Sequence, residues 1–167
     1  AFVLGPYEGS LRKAVQALKY RQVTRLAGLF GGVMARELKG QGWPLDMVCP
    51  VPLHYGRKLS RGYNQAALIA KVVAREAKLP YKPVLKRSRA TKRQILLDPE
   101  ARAGNVAGAF VAKGLQGERV LLVDDVITSG ATVTECTLAL LQGGASRVYL
   151  AAVASAQPSR AKARQAR

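Results

Sequence analysis

Thirteen consecutive residues hold much of the chemistry this chain can do: Val120-Leu121-Leu122-Val123-Asp124-Asp125-Val126-Ile127-Thr128-Ser129-Gly130-Ala131-Thr132. An apolar run delivers two carboxylates, and hydroxyls then gather around a glycine. The run has no polar face, which predicts a buried parallel strand over residues 119–124. In open parallel sheets ligands bind at the carboxyl ends of strands, so Asp124 and Asp125 would stand at that edge. Thr128, Ser129 and Thr132 flank Gly130 and Ala131, where the backbone N–H groups of a helix N-terminus have no intrahelical partner. Such a turn is an anion cradle. Carboxylates repel a phosphate, so the acid pair suits sugar hydroxyls or a Mg2+ ion beside it. Together these residues describe a site for a ribose 5-phosphate. The plainer alternative is a turn whose Asp and Thr only cap, but strand, acid pair, hydroxyl loop and helix all occur in order.

Charge points the same way. Lys and Arg number 27 against 10 acids, a formal net charge of +17. That suits polyanionic partners, either nucleic acid or phosphorylated small molecules. Residues 57–93 hold twelve Lys and Arg against one acid, Glu76; Arg57, Lys58, Arg87, Arg89, Lys92 and Arg93 are among the twelve. Residues 120–157 reverse the balance, with Asp124, Asp125 and Glu135 against Arg147. A charge run is usually a solvated face, but the near-absence of acids favours a working anion surface. His54, the only histidine, follows Pro52-Leu53 at the exit of a short apolar run. Cys49 and Cys136 lie in apolar segments and read as packing residues; two are too few for a disulfide scaffold or a structural zinc site.

Elements must position these groups. Apolar residues make up 49% of a 167-residue chain, which excludes a wholly disordered or fibrous protein. No apolar run approaches the roughly 18 residues of a membrane span. The opening Ala1-Phe2-Val3-Leu4 lacks a basic leader, so a soluble cytoplasmic domain is the expectation. Leu11, Val15 and Leu18, then Leu26, Leu29, Phe30, Val33 and Leu38, predict two amphipathic helices. Gly28, Gly31 and Gly32 in the second of these predict close packing. Residues 46–51 read as the first core strand, and Asn64 as the N-cap of a helix to about Lys78. A second strand is expected at 83–85, a long charged loop at 87–104, and a strand of a small hairpin at 106–111. A helix over 132–142 and a last strand at 148–153 complete an α/β pattern with a mainly parallel sheet flanked by helices. The expected division is an N-terminal helical hood at 1–45, a core at 46–157 and a basic tail at 158–167 whose composition predicts disorder. Tyr63 suits a packing staple or a base-stacking ring, Arg61 and Asn64 suit helix-start groups or ligands, and Trp43 suits a packing cover.

The thirteen residues resemble the 5-phosphoribosyl 1-diphosphate (PRPP) motif of type I phosphoribosyltransferases. Flanking residues resemble the ComF/GntX, or competence protein F, group: Tyr7-Glu8-Gly9 with Lys19-Tyr20, Pro50-Val51-Pro52-Leu53-His54, and Arg61-Gly62-Tyr63-Asn64-Gln65. Thr91, Gln94, Arg102, Asn105-Val106 and Gly108-Ala109-Phe110 resemble that group's flexible loop. The resemblance runs over about residues 7–153. It departs in two places: the group's usual opening four-cysteine zinc ribbon has no counterpart here, and Thr128-Ser129 stands where paired threonines are common.

The resemblance implies a type I phosphoribosyltransferase fold and a set of roles. Asp124 and Asp125 would take the ribose hydroxyls and the Mg2+ neighbourhood, and Thr128, Ser129, Gly130, Ala131 and Thr132 the 5-phosphate. Pro52, Leu53 and His54, with Arg57 and Lys58, would face the diphosphate. Arg87, Arg89, Lys92 and Arg93, on a loop closing over the site, would neutralise the leaving group without a general base. Nothing in the N-terminal segment selects an acceptor. The resemblance also implies a link to natural competence. A rival reading is therefore a single-stranded DNA-binding accessory of the competence machinery on the same scaffold, favoured by the +17 charge and disfavoured by 6% aromatic content.

Overall fold

Strands that are apolar on both faces need cover on both, and the rest of the chain supplies it. A computed structural model describes residues 1–53, 62–87 and 109–157. In chain order its elements are β1 (Phe2–Pro6), α1 (Gly9–Tyr20), α2 (Arg25–Lys39), β2 (Met47–Pro50), α3 (Gln65–Ala77) and β3 (Leu85–Arg87). There follow β4 (Phe110–Ala112), β5 (Arg119–Ile127), α4 (Ala131–Gln142) and β6 (Arg147–Ser155). The main sheet has the order β1-β6-β5-β2, parallel throughout, and β3 and β4 form a separate antiparallel ribbon. Alternate residues of β5 serve alternate layers. Leu121 and Val123 pack with Val15, Leu18, Met34 and Ile69 of the first three helices. Val120 and Leu122 pack with Cys136 and Leu140 of α4 and with Leu85 and Phe110 of the ribbon. Cys49 and Cys136 are fully buried, and that burial pushes both thiols up, so they remain protonated packing groups.

The base of the sheet is fixed by charge. Asp46, just ahead of β2, takes Arg119 Nη2 at 2.7 Å, Arg119 Nε at 2.8 Å and the Arg119 backbone N–H at 2.8 Å. The bidentate fork aligns β5 with β2, and the guanidinium holds the Asp46 carboxyl well below the usual carboxylate range.

Several expectations shift. Phe2–Pro6 is a strand, pairing Phe2 with Ala151 and Val3 with Ala152 at the edge of the main sheet. Residues 46–51 therefore hold the second strand of the chain, and the N-terminal segment contributes a strand as well as helices. The run Phe-Val-Leu-Gly-Pro is too short to show a period, and its partner lies at the far end of the chain. The strand expected at 83–85 begins at Leu85 and joins the ribbon; the main sheet receives only a bridge between Tyr81 and Val48 there. Of the hairpin strand expected at 106–111, residues 106–108 lie outside the described residues, and β4 covers Phe110–Ala112. Arg87 belongs to β3, and residues 88–108, with the rest of the expected loop, lie outside the described residues, as does the tail at 158–167. β5 runs on through the acid pair to Ile127, because β6 continues to pair with it at Val126 and Ile127.

Of the three α2 glycines, only Gly31 makes a close approach: a Cβ there would lie 2.6 Å from Val72 Cβ, whereas at Gly28 and Gly32 it would meet nothing within 4 Å. Asn64 caps α3, its Oδ1 accepting the Ala67 N–H at 3.3 Å. Trp43 stacks on Tyr149 with ring centroids 4.9 Å apart, covering the sheet as expected. No helix among the described residues is long and apolar enough to cross a membrane.

Candidate functional site

β2 stops at Pro50, opposite Val123, while β5 continues to Ile127. Asp124 and Asp125 therefore stand just past the last β2 pair, where the sheet opens. This is why two carboxylates inside a strand can still face a ligand. A cleft of about 520 Å3 lies there, lined by Asp124, Asp125, Thr128 and Thr132, by Pro52 and Leu53 after β2, and by the cations Lys19 and Arg87. A smaller hollow of about 40 Å3 shares Asp124, Thr128 and Thr132 with it and adds Gly130.

The two acids have different surroundings. Asp125 Oδ1 is 2.9 Å from Lys19 Nζ, with the two side chains 13% and 16% exposed. Asp124 is half-buried, and its Oδ1 accepts the Asp125 backbone N–H at 2.8 Å. Burial, and then the charge of Asp125, push the Asp124 carboxyl up to about 7; the Asp125 N–H and Lys19 pull it the other way.

Between strand and helix the chain turns on Gly130, whose φ of +84° is the left-handed conformation that glycine takes without strain. Thr128 and Ser129 are exposed on this turn, and Ser129 Oγ accepts the Ala131 N–H at 3.4 Å. The first-turn amides of α4, from Ala131 onward, belong to the end of a helix where N–H groups have no intrahelical carbonyl. Hydroxyls and amides thus converge beside the carboxylates, an arrangement able to hold an anion and a polyhydroxyl group side by side. Arg87, at the end of β3, also lines the cleft, and its guanidinium lies 5.2 Å from the Phe110 ring centroid, a cation–π contact.

Of the residues picked out by sequence, Asp124, Asp125, Thr128, Thr132, Pro52, Leu53 and Arg87 come together around the cleft, and Ser129, Gly130 and Ala131 form the adjoining turn. Asn64, open between cap and ligand, is cap and wall at once: it lines the cleft while its Nδ2 donates to the Val51 carbonyl at 2.9 Å. Tyr63, open between staple and base stacking, is a fastener, its hydroxyl donating to the Leu18 carbonyl. His54, Arg57, Lys58, Arg61, Arg89, Lys92 and Arg93 lie outside the described residues. Two polar residues of the lining had no site role from sequence. Lys19 reaches the cleft from the last turn of α1, where a lysine ordinarily reads as a complement to the helix dipole. Buried Gln65 lines it too, at the start of α3.

A family model for the phosphoribosyl transferase domain matches residues 63–167. The chain belongs to that family. Among curated proteins, this phosphoribosyl transferase domain is 31% identical to the DNA utilization protein YhgH of Escherichia coli (strain K12), over 86% of this chain and 66% of that protein. It is 34% identical to Competence protein F of Haemophilus influenzae, over 66% of this chain and 51% of that protein. The chain thus spans about 66% or less of the length of these relatives. Solved structures that share its fold include the following two. The glutamine phosphoribosylpyrophosphate amidotransferase from B. subtilis, complexed with ADP and GMP, matches with a TM-score of 0.54 at 24% identity, over 75% of this chain and 25% of that one. TT1426 from Thermus thermophilus matches with a TM-score of 0.52 at 18% identity, over 83% and 79%. The parallel main sheet of this chain, flanked by helices, is the fold class the residues implied.

Proposed function

We propose that this chain binds PRPP with Mg2+ and acts as a phosphoribosyltransferase on an acceptor still to be assigned. The observation that carries the reading is the convergence of Asp124, Asp125, Thr128 and Thr132 on one cleft beside the N-terminus of α4. The two carboxylates would accept hydrogen bonds from the ribose hydroxyls. The hydroxyls of Thr128, Ser129 and Thr132, with the amides from Gly130 to Thr132, would surround the 5-phosphate. Arg87 and the half-buried chain at Pro52 and Leu53, which lines the cleft, suit the diphosphate, and by resemblance His54, Arg57, Lys58, Arg89, Lys92 and Arg93 would add to it. Cations facing a departing diphosphate stabilise charge that develops only as the bond breaks, which accelerates without a general base.

The donor set fits Mg2+: the ion takes hard oxygens and is commonly held by one or two carboxylates plus substrate phosphates and water. Asp124 and Asp125 would hold it. When bound it would neutralise the diphosphate as a leaving group.

The test is calorimetry with Mg2+ and PRPP on the wild type and on the double variant Asp124→Asn, Asp125→Asn. Hydrogen bonds to charged groups contribute about 1.5–3 kcal/mol, so affinity should fall roughly tenfold or more. Unchanged affinity would move the site elsewhere. Diphosphate release, screened against bases, amines and nucleotides with the double variant as blank, identifies the acceptor.

A second reading rests on the +17 charge and on the relatives named for DNA utilization and competence. In it the chain handles single-stranded DNA, with the cleft sensing PRPP or idle. Fold and function are separable in this way, and the 5-phosphate site occupies little surface.

A further inference from the structure

Two adjacent carboxylates with no counter-charge would present two negative charges to the cleft, a poor partner for a phosphorylated ligand and a strong one for a bare divalent cation. This cleft is not left so. The Lys19 ammonium lies 2.9 Å from Asp125 Oδ1, and both side chains are largely withdrawn from water, where an ion pair is screened far less than on the surface. The lysine is also held in place. Its helix ends at Tyr20, and the neighbouring Leu18 carbonyl receives the Tyr63 hydroxyl. Tyr63 in turn precedes the cap Asn64, whose amide donates to the Val51 carbonyl at the exit of β2. The end of α1 is thus fastened to two sides of the cleft, and the cost of ordering a long side chain is reduced before any ligand arrives.

We propose that Lys19 is the internal counter-ion of the acidic pair and sets its specificity, so that the cleft accepts an anionic phosphoribosyl ligand together with its metal and resists a divalent metal alone. For the identity of the ligand this rests on the reading above; for the role of the ion pair it does not.

The experiment compares wild type, Lys19→Met and Lys19→Arg. Mn2+ alone is titrated by electron paramagnetic resonance, and PRPP with Mg2+ by calorimetry. Removing the ammonium should move the two affinities in opposite directions. Mn2+ should bind roughly tenfold more tightly to Lys19→Met, and PRPP with Mg2+ roughly tenfold more weakly, the scale of one charge-assisted contact. Lys19→Arg should stay near wild type in both. A lysine that merely braces α1 would, when lost, weaken both or neither. Adding Asp125→Asn to Lys19→Met should cancel the gain in Mn2+ affinity, which ties it to this carboxylate. Thermal melting checks that Lys19→Met is folded, and Lys19→Gln carries the same test if it is not.

Unchanged or weaker Mn2+ binding in Lys19→Met overturns the proposal. If wild type takes up no PRPP at all, the phosphoribosyl reading fails, and the Mn2+ comparison still decides the role of Lys19.

Discussion

Asp124 Oδ1 accepts the backbone N–H of Asp125 at 2.8 Å, yet the Asp124 carboxyl is raised to about 7. One hydrogen bond does not offset burial beside a second carboxylate. The folded chain therefore holds this proton more tightly than the unfolded chain, whose Asp has an ordinary value of 3.8. Between about pH 4 and pH 7 the native state binds more protons, so stability falls as pH rises through that window. Asp124→Asn keeps an oxygen for the Asp125 N–H and removes the buried charge. Its melting temperature, measured with chelator, should exceed that of the wild type at pH 8 and approach it at pH 5. One pKa unit is worth about 1.4 kcal/mol, so even a third of the shift raises Tm by several degrees. A wild type as stable as the variant at pH 8 would contradict the assignment.

Ligand binding should depend on pH in the opposite sense. If the carboxylate form of Asp124 takes ribose hydroxyls or a metal, affinity for PRPP with Mg2+ falls as the group protonates below about 7. From pH 8 to pH 6 the ionised fraction drops roughly tenfold, and affinity should follow. The Asp124→Asn variant should bind weakly and lack that part of the slope.

At the phosphate turn, Ser129→Asp puts a like charge where the 5-phosphate is proposed to sit. Ser129 is exposed, so the fold should persist while binding of PRPP is lost. Circular dichroism with calorimetry checks both. Normal uptake of PRPP by this variant would place the phosphate elsewhere.

Much of the fold, and which residues of 124–132 line the cleft, was legible because local chemistry sufficed. The apolar run, acid pair and hydroxyl turn keep their meaning whatever surrounds them, and Asn64 followed by a helical period needs only its neighbours. What was not legible depends on partners distant in sequence. β1 is a strand because β6 lies beside it, and β5 continues past Asp125 because β6 extends with it while β2 stops at Pro50. Lys19 becomes part of the site only when α1 is laid across the sheet.

Gly31 shows the same limit. Three α2 glycines looked alike in sequence, and only the fold separates them. Gly31→Ala should destabilise by about 1–3 kcal/mol through overpacking against Val72, whereas Gly28→Ala and Gly32→Ala should stabilise by up to about 1 kcal/mol, since their new methyls meet open space in a helix. Chemical denaturation of the three variants gives the order; equal effects would remove the close helix contact.

The DNA reading makes a quantitative demand. Residues 57–93 hold twelve Lys and Arg, and residues 158–167 hold four more with no acid. Such a chain should bind single-stranded DNA without sequence preference and with strong salt dependence. On a single strand the slope of log affinity against log salt is about −0.7 per phosphate neutralised, so five contacts give roughly −3.5. Deleting residues 158–167 should make the slope shallower if the tail takes part. Basicity alone would let DNA and PRPP bind independently. If the basic residues that serve the diphosphate also serve DNA, Mg2+-PRPP and DNA must compete at low salt. Fluorescence anisotropy of a labelled oligonucleotide, titrated with salt and then with PRPP, measures both. No binding near physiological salt rejects the DNA-handling role. Binding indifferent to PRPP puts DNA on a separate face and leaves the cleft to the phosphoribosyl ligand.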